Sequence, residues 1–101
     1  MASFITRVEL HDADYQDYIN LHLYMRQEGY TTTIRANAGA TYHLPPAEYE
    51  LIDDCTAEQA LRRAERAAQK TRKRAAVLVA EYRSCTWSGL QQAQRSPSRA
   101  Y

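Results

Sequence analysis

The side chains best placed to do chemistry lie in two stretches of the sequence. Asp12 and Asp14 stand close together in HDAD, directly after an alternating segment. Two carboxylates at the end of a strand can hold Mg²⁺, with water and a phosphate completing its shell. The same pair also suits a plainer role, because Asp accepts the free amide hydrogens of a starting helix and Asp14 with Asp17 has the spacing of a capping box. His22, eight positions further on, titrates near neutrality and can move a proton. Asp12, Asp14 and His22 therefore form the candidate catalytic set, with capping as the simpler account of the two acids. His11 reads as a turn residue. His43 and Tyr42, in TYHLPP, can join His22 only if the fold brings them together.

The second stretch is basic. Arg62, Arg63, Arg66, Lys70, Arg72, Lys73 and Arg74 fall close together with only Glu65 interleaved. Such density suits a phosphate backbone, and equally suits the solvated face of a helix. Residues 1–55 hold nine acids against Arg7, Arg26 and Arg35, a net of −6, and residues 56–101 carry +7. That division permits either a polyanion-binding face or charge pairing between copies. Cys55 and Cys85 lack zinc-ligand spacing and are expected as free thiols; no cofactor motif appears, and Mg²⁺ is the one ion the acids could use.

The elements that must position these residues follow from periodicity. Phe4, Thr6, Val8 and Leu10 alternate with Ile5, Arg7 and Glu9, which predicts a strand over residues 3–10. Tyr18, Leu21, His22 and Met25 recur at helical spacing, and Gly29 can take the left-handed conformation that closes a helix. YTTTIR predicts a second strand over residues 30–35. The turn ANAG makes a hairpin to a third strand from Ala40, which Pro45 and Pro46 interrupt; residues 48–52 either resume it after a bulge, the favoured reading, or cross the surface. Thr56 and Gln59 form a second capping box, and Ala57, Ala60, Leu61, Ala64, Ala67 and Ala68 line a small-residue helix face. AAVLVAEY reads as a buried strand.

Strand, helix, strand, strand, helix, strand is the order of an α+β ferredoxin-like sandwich, a four-stranded antiparallel sheet with two helices on one face. The chain of 101 residues fits one such domain over residues 1–90, with a mobile tail over 91–101. The uncovered sheet face is expected to bind something or to pair with a second copy as a homodimer. No apolar run reaches membrane-spanning length and none resembles a signal peptide, so a cytoplasmic protein with no membrane partner is expected.

RVELHDADYQDY, TYHLPPAEY, TAEQALRRAERAAQ and VLVAEYRSCTWSGL together resemble the bacterial GhoS-like family of antitoxins from type V toxin-antitoxin systems. The resemblance spans about residues 3–90. It implies a ferredoxin-like fold, single-stranded RNA as partner and endoribonuclease cleavage of a messenger RNA. Asp12 is the nearest match to the strand-end acid of related folds, with Asp14 behind it. The basic residue expected on the first helix is matched here only by His22 and Arg26. The alternative reading is a non-catalytic homodimeric module that binds a protein or its own copy.

Overall fold

The computed structural model describes residues 1–93. Within them the chain runs β1 (Ala2–Leu10), α1 (Tyr15–Gln27), β2 (Thr33–Arg35), β3 (Thr41–His43), β4 (Glu48–Asp53), α2 (Ala57–Lys70) and β5 (Ala75–Tyr82). The alternation in β1 is realised: Phe4, Thr6, Val8 and Leu10 are buried, while Arg7 and Glu9 face solvent. Antiparallel β4 and β5 flank β1, giving a three-stranded sheet in the order β4-β1-β5. Both helices pack together over the inner face, where Leu21 and Met25 of α1 meet Ala60, Ala64, Ala67 and Ala68 of α2. Methyl side chains let α2 lie close to the sheet.

Local chemistry fixes each helix end. Asp14 and Asp17 exchange backbone-to-carboxylate hydrogen bonds of 2.9 and 3.0 Å, and Thr56 and Gln59 exchange another pair of 2.9 and 3.1 Å. At the far end of α1, Gly29 adopts φ +96°. Its N–H donates to Arg26 and that of Tyr30 to Met25, each at 3.0 Å, which closes the helix as a Schellman motif. The buried Tyr30 hydroxyl donates to the Ala60 carbonyl at 2.9 Å and therefore accepts from the Thr6 hydroxyl, also at 2.9 Å. One phenol thus ties β1, the loop after α1 and α2.

The fold departs from expectation in three places. The main sheet has three strands instead of four, because the hairpin of β2 and β3 forms a separate two-stranded sheet joined to it by a single bridge between Thr31 and Glu50. Pro45 and Pro46 offer no N–H to a ladder, and Ala47 turns the chain at φ +68°, so residues 41–43 stay with β2 while Glu48–Asp53 passes to β1. The second strand begins at Thr33, since Tyr30 is consumed by the helix end and the core. Finally, AAVLVAEY is an edge strand with no fully buried residue: Ala75, Val77 and Val79 lean on the core while Leu78 is 68% exposed.

Beyond β5 the chain turns back toward the hairpin. Trp87 packs on Tyr42 of β3 with ring centroids 5.6 Å apart. Gln91 and Ala93 then exchange hydrogen bonds of 2.9 and 2.8 Å with His43 and Thr41, adding a short stretch to the free edge of β3. The remainder of the expected tail lies outside the described residues.

Candidate nucleic-acid interface

The candidate acids separate by role. Asp14 is committed to the cap of α1 through Asp17, and that backbone contact, together with Lys73, holds the Asp17 carboxyl below its ordinary range. Asp12 is exposed in the turn after β1 and adopts φ +54°, a conformation that Asp tolerates better than most residues. No cluster of three His, Cys, Asp or Glu side chains with metal-binding geometry occurs among the described residues. His22 stands eight residues beyond Asp14 along α1, about 12 Å at the rise of a helix, so the two do not form one hydrogen-bonded unit.

His22 has other company. Its Nδ1 lies 2.8 Å from the Tyr49 hydroxyl, and the two rings meet edge to face at 5.5 Å. Burial and the charge of Arg26 hold its pKa below the usual value of 6.5, so at neutral pH the ring is uncharged and can accept a proton. Burial pushes the Tyr49 hydroxyl up. Which atom donates in this contact depends on the tautomer of His22: Nδ1–H donating to Tyr49 leaves the Nε2 lone pair free, whereas Tyr49 O–H donating to Nδ1 puts the ring proton on Nε2. His22 also lines a cavity of about 230 Å³ together with His43, Thr32 and Glu48. The fold therefore brings His22 and His43 together, whereas Tyr42 points to the other face of the hairpin and packs on Trp87.

The seven bases of the second helix and its exit are mostly spent within the molecule. Arg66 makes a two-pronged contact with Glu28 at 2.9 and 3.2 Å, Arg63 pairs with Asp53 at 2.9 Å, and Lys73 lies 3.7 Å from Asp17. Lys70 reaches Gln27 and sits over the Tyr24 ring. Arg62 touches only a carbonyl of its own helix, and Arg72 and Arg74 are exposed with no acid within pairing distance among the described residues. The charge division of the sequence thus becomes α1–α2 and β4–α2 pairing inside one chain.

Sequence reading missed a different basic cluster. Between the β2–β3 turn and the end of β5 lies an open cleft of about 510 Å³, lined by Arg35, Asn37, Tyr82, Arg83 and Trp87 among others. Arg35 and Arg83 are both exposed, and neither has an acidic partner among the described residues. They are far apart in sequence, so no local charge count announces them. The one available signal was an aromatic interleaved with base at YRSCTW. Cys85 in the same segment is unbridged, as is Cys55, and burial raises its pKa.

On the outer sheet face, Arg7 and Glu48 pair at 3.5 Å beside the exposed Leu78, while the exposed Ile52 lies further along β4, opposite Ser3. No described helix is long and apolar enough to cross a membrane. No protein-family model, curated protein or solved structure matches the chain.

Proposed function

We propose that this chain is a GhoS-like, antitoxin-type RNA-binding protein that cleaves single-stranded RNA without a metal, and that its fold is a ferredoxin-like sandwich whose outermost strand has shrunk to the Thr31–Glu50 bridge. The order β5-β1-β4 followed by Thr31 supports the second part, since it matches the strand order of that fold. The observation that carries the first is the shared cavity of His22 and His43. Neutral His22 takes the proton of a ribose 2′-hydroxyl, whose oxygen bonds to the adjacent phosphorus. The bond from phosphorus to the 5′-oxygen breaks, and His43 acts as the general acid that supplies the proton that oxygen needs. The products are a 2′,3′-cyclic phosphate and a free 5′-hydroxyl.

The test is incubation of end-labelled RNA with the purified protein in EDTA. Cleavage should persist, leave cyclic phosphate ends, spare DNA of the same sequence, and fall at least about 100-fold in His22→Ala and in His43→Ala. Cleavage that needs Mg²⁺ and survives both histidine variants would move the chemistry to Asp12 and Asp14.

A second reading, a homodimer formed through the outer sheet face, is supported by Leu78 and Ile52, which stay exposed on either side of β1. Light scattering should give twice the chain mass, and Leu78→Glu should return a monomer. A monomer at all concentrations removes this reading.

A further inference from the structure

The cleft between the hairpin and the end of β5 plays no part in the proposed cleavage, yet its wall is built for a ligand. Two arginines from distant parts of the sequence, Arg35 and Arg83, line it. They do so without the acids that occupy Arg63 and Arg66 elsewhere. Trp87 is steadied from one side by Tyr42, and the Tyr82 ring is anchored through its hydroxyl to Glu50. Glu50 itself is buried behind that ring and is not among the residues that line the cleft. Asn37 and Ser3 bring an amide and a hydroxyl to the same space. Its volume of about 510 Å³ lies inside the range of roughly 300–1,000 Å³ typical of small-ligand pockets.

We propose that this cleft is the subsite that holds one nucleotide of a single-stranded RNA, with Arg35 and Arg83 on its phosphate, Trp87 or Tyr82 stacked on its base, and Asn37 at the base edge. Guanidinium forks match phosphate oxygens, and base stacking on an aromatic ring contributes about 1–3 kcal/mol whatever the base. The assignment deepens the RNA reading above, but it rests on the cleft's own side chains.

Trp87 is the only tryptophan in the chain, so intrinsic fluorescence reads this cleft without a label. Titration with uridine monophosphate should quench it, and a ten-residue oligouridylate should do so at least about tenfold more tightly, while inorganic phosphate leaves the emission unchanged. Arg35→Ala and Arg83→Ala, both at exposed positions, should each weaken oligouridylate binding about tenfold, with Arg7→Ala, whose guanidinium pairs with Glu48, as an unaffected control. Absence of quenching, or an unchanged titration in the double arginine variant with an unaltered circular dichroism spectrum, overturns the proposal. Equal affinity for monomer and oligomer overturns its role in holding RNA. If cleavage persists without quenching, the cleft assignment alone falls; if quenching occurs without cleavage, the histidine mechanism alone falls.

Discussion

The exposed side of α2 and the cleft beneath the hairpin are both rich in arginine, and they differ in what the rest of the chain does to that charge. On α2 and its exit the bases are dense in sequence, yet Glu28, Asp53 and Asp17 neutralise Arg66, Arg63 and Lys73. In the cleft there are only two guanidinium groups, and neither meets an acid among the described residues. Charge density along a sequence measures how a helix is solvated and clamped. A binding surface needs convergence in space and the absence of an internal partner.

The sharpest way to break this contrast is the double replacement of Arg35 and Arg83 by Ala. RNA affinity should fall about 100-fold at moderate salt, the product of two tenfold losses, measured by fluorescence titration. Replacing Arg66 and Lys70 together should change it less than threefold. Their stability effect reverses the order: Arg66→Ala should lower the urea midpoint slightly, and less so in high salt, because its pair with Glu28 clamps α1 to α2 at an exposed site. The arginine pair of the cleft should leave stability within about 0.5 kcal/mol of the parent.

A smaller effect separates capping from catalysis. Asp14→Ala should lower stability by about 1 kcal/mol through loss of the α1 cap, while leaving the rate of RNA cleavage unchanged. A large fall in rate with intact folding would return Asp14 to the active site. Arg72 offers the mildest test. It holds φ +63° without being glycine, so Arg72→Gly should raise stability by about 0.5–1 kcal/mol and change RNA affinity less than twofold.

His22 adds a pH signature with a definite sign. Its folded pKa lies below its unfolded value near 6.5, so its contribution to stability is complete above about pH 6.5 and is lost as the pH falls toward the folded value. The urea midpoint of the parent should drop more steeply over that acid window than that of His22→Gln. Identical slopes would mean that the ring is not desolvated against Tyr49.

Much of the architecture was legible because it is written locally. Asp14 with Asp17 and Thr56 with Gln59 carry their capping boxes in a few consecutive residues, and the alternation of β1 and the alanine stripe of α2 name their own buried faces. What escaped depends on contacts between distant segments. Nothing near Pro45–Pro46 says that the third strand divides between two partners, and the left-handed turn at Ala47 lacks the glycine that would have marked it. AAVLVAEY looked buried because apolarity alone cannot distinguish a central strand from an edge strand with one open face. The histidines gave the same lesson: His22 was identifiable on its helix stripe, but His43 joined it only once the hairpin folded.

The most direct test of the contrast between the two basic regions is a titration of ¹⁵N-labelled protein with oligouridylate, followed by amide chemical shifts. Amides of residues 35–37 and 82–87 should move and saturate together, while those along residues 62–70 stay within experimental error. Shifts confined to residues 62–74, with residues 35–37 and 82–87 unmoved, would contradict the account and return RNA binding to the basic helix.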